Sequence, residues 1–349
     1  MSFKDIIGQD KAVKILIKTI QRDRIPSAYL FSGESGIGKK FTAINLAKAL
    51  NCLTPSNPPL TKEGIEGGYP FSKKGLEGGI DACDECSSCK KIDSGLHPDV
   101  LIIAPQNNQI RIEEIRAIDE SLSLKAFEGR YKIVIVDDAE MMNQYASNAF
   151  LKTIEEPPPD SLIILITSSP DLLPETIRSR CSRINFTPLA NYDCKKVLEI
   201  IFRNRTDIDI NEYTFNQLVN FSMGRPGIAN TYDLIEEQTW FKKVLMEILN
   251  YEKDGWASKD EMARWFEYLL IMLRDMAIFK ITGDETMLIN NINNNFIRKL
   301  STKLELKSII EHYFIFYTLK RYFNFHLNKS LTWNYTGSLL RRVTNLKYA

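Results

Sequence analysis

The chain has 349 residues, and its 45 lysines and arginines nearly balance 44 aspartates and glutamates, so the formal net charge at pH 7 is +1. This length exceeds one ordinary domain. The near-neutral charge argues against a protein that coats DNA on its own, because such a protein needs a basic excess to neutralise phosphates. The sequence lacks a long apolar run, and charges stand where a signal peptide needs its apolar region. We therefore expect a cytoplasmic chain that does not enter a membrane.

The first part of the chain predicts strands and helices in alternation. A helical pattern over residues 10–22 precedes a short apolar strand at 28–31, which runs directly into a glycine-rich loop and a second helix. Three further apolar runs predict buried strands at residues 100–103, 133–136 and 162–166. Continuously apolar strands that alternate with helices are typical of a parallel sheet covered on both faces. We therefore predict an α/β domain over residues 1–188.

Beyond residue 188 the strand signals stop and the pattern becomes helical. We predict a small helical domain over residues 189–237 and a larger all-α domain over residues 238–349. The aromatic run 313–317 lies at helical spacing with aliphatic residues, which favours a buried core or a subunit contact over a cofactor site. The asparagine-rich stretch 290–295 predicts an exposed loop.

A glycine-rich loop links the first predicted strand to the second helix. Its sequence, Gly33-Glu34-Ser35-Gly36-Ile37-Gly38-Lys39, fits the phosphate-binding pattern Gly-x4-Gly-Lys in the required strand–helix context. The glycines would let backbone N–H groups turn inward toward phosphate oxygens, assisted by the helix N-terminus. Lys39 would contact the β and γ phosphates. A glycine-rich turn without a ligand is the alternative.

Two positions of this candidate ATP and Mg²⁺ site depart from the usual pattern. Lys40 stands where a Ser or Thr hydroxyl normally ligates Mg²⁺, and Thr42 lies about 200° further around the helix. After the strand at 133–136, Asp137 is placed to orient Mg²⁺, whereas Asp138 is one methylene shorter than the Glu that usually activates water. The sequence therefore allows nucleotide binding but argues against efficient hydrolysis.

Four cysteines form a candidate metal site. Cys83, Cys86 and Cys89 follow the spacing Cys-x2-Cys-x2-Cys, and Cys52 is the nearest candidate for a fourth ligand. In a reducing compartment, clustered cysteines indicate a metal before a disulfide. Four thiolates make a closed tetrahedral site for structural Zn²⁺, so we predict a zinc module over residues 52–89. An iron–sulfur cluster and free thiols are the alternatives.

A tandem repeat accounts for the long gap inside this module. Residues 59–69 are followed by a similar segment at 70–80, and removing both copies leaves eight residues between Cys52 and Cys83. The Pro and Gly content of the copies excludes a long helix. We therefore predict a surface insertion over residues 59–80.

Together these motifs resemble the clamp-loader family of AAA+ proteins over residues 1 to about 235. The cysteine spacing is similar to that family's Cys-x8-Cys-x2-Cys-x2-Cys zinc module once the repeat is removed. Four further segments carry the resemblance. The first is Ile7-Gly8-Gln9, whose Ile7 would border the adenine pocket, and the second is the stretch 148–158, which is similar to the family's signature helix. The third is Ser168, at the polar position called sensor 1, and the fourth is the Ser179-Arg180-Cys181 motif.

The resemblance implies a function within an assembly. In clamp loaders the arginine of the Ser-Arg-Cys motif reaches ATP bound by the neighbouring subunit, which makes Arg180 a candidate catalytic residue acting in trans. The resemblance also implies that the small helical domain is a lid and that the larger one is a collar joining the subunits. The implied partners are clamp-loader subunits of the gamma/tau and delta types, a sliding clamp and primed DNA.

A third departure from the pattern lies in the small helical domain. Family members that hydrolyse ATP carry an arginine, called sensor 2, in a Gly-Ser-x-Arg pattern, but here the stretch is Gly224-Arg225-Pro226-Gly227. We therefore favour a subunit that hydrolyses little ATP itself. One alternative is a gamma/tau-type subunit that hydrolyses ATP. Another is a zinc-dependent nucleic-acid-binding module, although the charges around the cysteines are mixed.

Overall fold

The computed structural model describes residues 2–53, 81–107, 109–203, 212–229, 234–250, 255–289, 294–323 and 327–344. The chain forms two compact units, of which the first comprises Met1–Ile208 and Ser222–Asn230 and the second Asp209–Phe221 and Thr231–Ala349. The division into three domains stays a prediction. The predicted insertion over residues 59–80 lies outside the described residues. None of the described helices is long and apolar enough to cross a membrane.

The first unit is built on a parallel sheet. Its strands are β1 (Ala28–Ser32), β2 (Val100–Ile103), β3 (Lys132–Val136), β4 (Ser161–Thr167) and β5 (Ser182–Asn185). Among the described residues the sheet has five strands in the order β2-β3-β4-β1-β5, and every pairing is parallel. All residues of β1, β3 and β4 are buried, because helices cover both faces of a parallel sheet. The predicted α/β fold is confirmed.

Strand β5 is not among the predicted strands. Of its residues, only Ile184 is buried, so the sequence offers no apolar run there. The strand forms because it lies at the sheet edge and pairs with β1, where Ile184 aligns with Phe31. An edge strand with polar neighbours is invisible to a search for apolar runs.

The helices of both units follow the predicted alternation and then the predicted all-helical region. They are α1 (Asp10–Gln21), α2 (Lys39–Asn51), α3 (Ser87–Asp93), α4 (Ile112–Ser123), α5 (Gln144–Glu155), α6 (Glu175–Arg178), α7 (Asn191–Arg203), α8 (Glu212–Ser222), α9 (Pro226–Ala229), α10 (Leu234–Leu249), α11 (Lys259–Thr282), α12 (Asn294–Lys303), α13 (Leu306–Arg321) and α14 (Lys329–Thr344).

The core of the first unit lies between the sheet and helices α4 and α5. Val134 of β3 and Ile163 of β4 are fully buried there, together with Ile115 of α4 and Phe150 of α5. Burying side chains of this size contributes about 1.5–3 kcal/mol each. This core holds the carboxyl ends of β1, β3 and β4 in fixed positions, and the loops that follow these strands carry the candidate site.

The second unit has an aromatic core. Trp256 lies 5.5 Å from Trp265 of α11 and 4.8 Å from Trp333 of α14, measured between ring centroids. On α13, the predicted aromatic run divides: Phe316 is buried, whereas Phe314 is exposed. In the asparagine-rich stretch, residues 290–293 lie outside the described residues, and α12 begins at Asn294.

Candidate functional site

The phosphate-binding loop follows β1 and ends at the first residue of α2. Gly36 and Gly38 adopt left-handed backbone angles, with φ of 80° and 95°, which only glycine adopts readily. These angles let the loop turn tightly before the helix begins. Lys39 is buried, and its ammonium donates hydrogen bonds of 2.6 Å to the carbonyl oxygens of Gly33 and Glu34. The loop therefore turns tightly between β1 and α2, and the ammonium of Lys39 is hydrogen-bonded within it.

Three acidic residues follow β3 on this edge of the sheet. Burial lowers the pKa of Lys39, and the charges of Glu140, Asp138 and Asp137 oppose that shift. Burial also raises the pKa of Asp138 to about 6, and the neighbouring carboxylates of Asp137 and Glu140 add to this rise. Asp138 adopts a left-handed backbone conformation with φ of 45°. The structure thus brings the predicted acids and the loop lysine into one electrostatic cluster.

Glu140, which no sequence motif predicted as a site residue, connects this cluster to Ser168. Ser168 follows β4, and its hydroxyl and its backbone N–H donate hydrogen bonds of 2.6 and 2.9 Å to Oε1 of Glu140. The other oxygen, Oε2, is buried and has no hydrogen-bond partner among the described residues. The signal in the sequence was a third acid just beyond Asp137 and Asp138.

The residues present do not fit a magnesium ion held in the usual way. Lys40 offers no hydroxyl, and its ammonium lies 3.1 Å from Oδ2 of Asp137, the carboxylate expected to orient the metal. The hydroxyl of Thr42 is no substitute, because it is buried and donates a 3.0 Å hydrogen bond to the carbonyl oxygen of Gly38. Of the two oxygen ligands that such a site normally supplies to Mg²⁺, the hydroxyl at position 40 is thus missing and the carboxylate of Asp137 is already paired.

The stretch that corresponds to sensor 2 lies directly against the phosphate-binding loop. The backbone N–H of Gly227 donates a 2.9 Å hydrogen bond to the carbonyl oxygen of Gly36. A Cβ atom at position 227 would stand 2.9 Å from the Cα atom of Gly36. Arg225 forms a 3.5 Å ion pair with Glu34. Position 227 therefore has no room for an arginine side chain, which agrees with the absence of a sensor 2 arginine.

The segment before α1 also contacts the phosphate-binding loop. The side-chain amide of Gln9 donates hydrogen bonds of 3.2 Å to the carbonyl oxygen of Ile37 and 2.7 Å to that of Thr187. Gln9 is buried, and Ile7 is partly buried. Gln9 thus ties this segment to both the loop and the chain beyond β5. The contact of Ile7 with an adenine ring stays a prediction.

Arg180 lies between α6 and β5, and its partners belong to α5 and α6. One guanidinium nitrogen, Nη2, lies 2.7 Å from Oε1 of Glu155, and Nη1 donates a 2.8 Å hydrogen bond to the carbonyl oxygen of Thr176. The Arg180 side chain is 39% exposed. The guanidinium is therefore oriented by an acid of the signature helix while it stays accessible to a second molecule.

The four predicted cysteines lie together at the opposite end of α2 from the phosphate-binding loop. Cys52 directly follows α2, Cys86 precedes α3, and Cys89 lies within α3. The four sulfur atoms all lie within 4.8 Å of one another, with 3.9 Å between those of Cys52 and Cys86. Zn–S bonds of about 2.3 Å in a tetrahedron give S–S edges of about 3.8 Å. The cluster could therefore hold a metal ion.

The environment of the cluster favours ionised sulfur at one ligand. Burial opposes ionisation of Cys83, but hydrogen bonds from the backbone N–H groups of Cys86 and Glu85 outweigh it and lower the pKa of Cys83 to about 6. Beside the cluster, the fully buried ammonium of Lys48 on α2 pairs with Asp84 and Asp93. These ion pairs connect the cysteine segment to α2.

The remaining two cysteines stay outside the cluster. Burial raises the pKa of Cys181 to about 11, and this thiol packs against the sheet core. Cys194 is buried, with its sulfur 2.9 Å from the hydroxyl of Ser222. Both have the surroundings of unreactive thiols.

The parallel sheet, the glycine-rich loop after β1 and the acids after β3 define a fold of the P-loop type. A family model described as "DNA polymerase III, delta subunit" matches residues 8–63 and 72–190, which is half of the chain. The chain therefore belongs to this family, and the resemblance inferred from the sequence is confirmed. Residues 64–71, which the match omits, lie within the predicted insertion.

Two relatives are similar over most of this chain. It is 27% identical to DNA polymerase III subunit delta' of Bacillus subtilis, over 81% of this chain and 82% of that protein. It is 28% identical to DNA polymerase III subunit gamma of Buchnera aphidicola, over 89% of this chain and 77% of that protein. Among solved structures, a gamma subunit-related protein of Thermotoga maritima aligns with a TM-score of 0.45 and 18% identity, covering 94% of this chain and 99% of that one.

Proposed function

We propose that this chain is a delta-prime-type subunit of a bacterial clamp loader, which helps to place a sliding clamp on primed DNA in the cytoplasm. Its partners would be subunits of the gamma/tau and delta types. In this proposal the chain hydrolyses little ATP itself, and its Arg180 acts as an arginine finger in the ATP site of a neighbouring subunit. The single observation that carries the proposal is the guanidinium of Arg180, which is 39% exposed and is oriented by its ion pair with Glu155.

The chemistry of an arginine finger suits this geometry. A guanidinium is planar and always charged, and it stabilises the negative charge that develops on a transferring phosphoryl group. Holding it in one orientation before the partner arrives lowers the entropy cost of forming the composite site. The ion pair with Glu155 supplies that orientation, and the exposed face of Arg180 leaves guanidinium N–H groups for phosphate oxygens.

The chain's own candidate nucleotide site supports the proposal that ATP is hydrolysed at the neighbouring subunit rather than in this chain. It retains Lys39 and the loop glycines, but Lys40 and Gly227 replace two groups that assist hydrolysis. We therefore assign nucleotide contacts to Gly33, Gly36, Gly38 and Lys39. In the same proposal, Asp137, Asp138 and Ser168 line the phosphate end of the site, and Ile7 lines the adenine end.

The cysteine cluster is proposed to bind structural Zn²⁺. Four thiolates leave no open coordination position, so a metal there would organise the chain rather than react. The collar role is proposed for the second unit. On α13, Ile310, Phe314 and Tyr317 recur at helical spacing and are 41%, 61% and 46% exposed. An apolar face of this kind suits contact with a neighbouring subunit.

The test of the arginine finger is Arg180→Ala in a reconstituted clamp loader. We expect DNA-stimulated ATP hydrolysis at the neighbouring site to fall by about 10³-fold or more, because an arginine finger contributes that much to the rate. Clamp loading should fall with it, while the assembly still elutes as one complex. The matched control is Arg178→Ala, which removes an arginine two residues away that pairs with Asp171. Unchanged hydrolysis in Arg180→Ala would remove this assignment.

The gamma/tau-type alternative is favoured by one observation, the intact loop with its buried Lys39. It predicts Mg²⁺-dependent ATP turnover by the isolated chain that disappears in Lys39→Ala. Turnover at the level of Lys39→Ala in the unaltered chain would exclude this alternative.

A further inference from the structure

We propose that the Lys40 ammonium takes the place of the magnesium ion, so that this chain binds a nucleoside triphosphate without a divalent metal. The inference rests on the proposed function only in taking the loop at residues 33–39 as the nucleotide site. It assigns to Lys40 the function of a built-in counter-ion for the phosphates.

The position of Lys40 carries the inference. In the phosphate-loop pattern, the metal lies between the side chain of this residue and the acid at the end of the neighbouring strand. Lys40 stands at the first of these two positions, and its Nζ lies 3.1 Å from Oδ2 of Asp137 at the second. The side chain thus places a positive charge beside both of the positions from which the metal would be ligated.

The hydrogen-bonding capacity of the ammonium suits the same task. A lysine ammonium has three N–H donors, and the contact with Asp137 uses one of them. The Lys40 side chain is 46% exposed, so its remaining donors are accessible to phosphate oxygens of an incoming ligand. Lys39, the preceding residue, supplies a second ammonium at the loop itself.

The charges around the site explain why a counter-ion is needed. Asp137, Asp138 and Glu140 all act on Lys39, so a triphosphate would approach three nearby acids. Without a cation, repulsion between these acids and the phosphates would oppose binding. The Lys40–Asp137 pair neutralises the acid nearest to the usual metal position. Mg²⁺ gains little here, because the hydroxyl ligand is absent, the carboxylate is occupied, and a second cation would be repelled by Lys40.

The experiment is titration calorimetry of the full chain with ATP, in excess EDTA and in excess Mg²⁺. For the unaltered chain we expect the two dissociation constants to agree within about threefold, or binding to be tighter in EDTA. In Lys40→Thr, which restores the usual hydroxyl, ATP should bind at least about tenfold more weakly in EDTA and recover with Mg²⁺. Lys40→Arg should retain binding in EDTA because it keeps the positive charge.

Two controls make the comparison specific. Lys14→Thr removes an exposed lysine from α1 and should change neither dissociation constant. Thermal unfolding of each variant shows whether a change in binding reflects a change in folding. The inference is overturned if the unaltered chain binds ATP at least tenfold more tightly with Mg²⁺, if Lys40→Thr behaves as the unaltered chain does, or if no ATP binds in either buffer. None of these outcomes alters the Arg180→Ala test, whose ATP is bound by the neighbouring subunit.

Discussion

The two ends of α2 carry two different candidate sites, and the two sites differ in whether their metal ligands are present. At the C-terminal end, Cys52 joins three other cysteines whose sulfur atoms all lie within 4.8 Å, so a full set of metal ligands is present. At the N-terminal end, Lys40 stands in place of a metal ligand and pairs with Asp137. One helix thus carries four candidate metal ligands at one end and a lysine ammonium in place of a metal ligand at the other.

The difference follows from what each metal would do for the chain. A structural metal contributes to the folding free energy, because it joins ligands from separate segments of the chain. A catalytic metal contributes to a reaction, so a chain that does not catalyse the reaction can lose its ligands and keep its fold. We therefore expect substitutions at the cysteine end of α2 to affect the stability of the chain, and substitutions at the phosphate-loop end to affect ligand binding.

The largest expected effect is at the cysteine end. Cys89→Ser should remove the bound metal and destabilise the chain by several kcal/mol, because structural Zn²⁺ in small modules contributes on the order of 10 kcal/mol. Metal content by mass spectrometry and thermal unfolding measure this. Cys194→Ser, which alters a buried cysteine outside the cluster, should retain the metal. Full metal content in Cys89→Ser would show that the closed four-thiolate site does not exist.

An intermediate effect is expected where the cysteine segment meets α2. Lys48→Met would remove a fully buried cation that both Asp84 and Asp93 contact, and we expect a loss of about 1.5–3 kcal/mol in the free energy of unfolding, because the two carboxylates left behind are partly exposed to water. Urea unfolding of the metal-loaded chain measures it. The control is Lys91→Met, because Lys91 and its partner Glu128 are partly exposed and such pairs contribute at most about 1 kcal/mol. Equal losses in the two variants would contradict the prediction.

The smallest effect is expected at the phosphate end. Gly227→Ala would place a Cβ atom 2.9 Å from the Cα atom of Gly36, so backbone must move, at a cost of about 1–3 kcal/mol. Urea unfolding checks this as well. In the control, Gly337→Ala, the added Cβ atom meets only the end of the flexible Arg341 side chain, whose guanidinium donates a hydrogen bond to the carbonyl oxygen of Ile248. There, the better helix propensity of alanine should offset the cost of shifting that guanidinium, so the loss should be smaller than at position 227. Neutral behaviour at position 227 would mean that the contact with Gly36 is not tight.

Much of the fold could be predicted because its strands carry their own signal. Strands β1, β3 and β4 are buried on both faces, and this requires apolar residues at every position. Strand β5 could not be predicted, because Ile184 is its sole buried residue and pairing with β1 makes it a strand. For the cysteines, the spacing in the sequence predicted a cluster, and the fold places the four sulfur atoms close together.

The candidate site divides in the same way. The glycines and Lys39 could be recognised because a tight phosphate loop restricts which residues can occupy it. Glu140 could not be recognised as a partner of Ser168, since the two residues lie on loops after different strands. Nor could Glu155 be recognised as the acid that orients Arg180, because the contact joins the end of α5 to the segment before β5.

The sequence by itself determined the chemical composition of both ends of α2: the loop glycines, Lys39, the departure at Lys40 and the four cysteines. It could do so because these are local patterns of residue type and spacing. Only the tertiary structure decided what Lys40 and Gly227 contact. Lys40 meets Asp137 because the parallel sheet brings the ends of β1 and β3 to one edge, and Gly227 meets Gly36 because α9 packs against the loop that follows β1. The absent hydroxyl is visible in the sequence, but the cation beside Asp137 is a property of the fold.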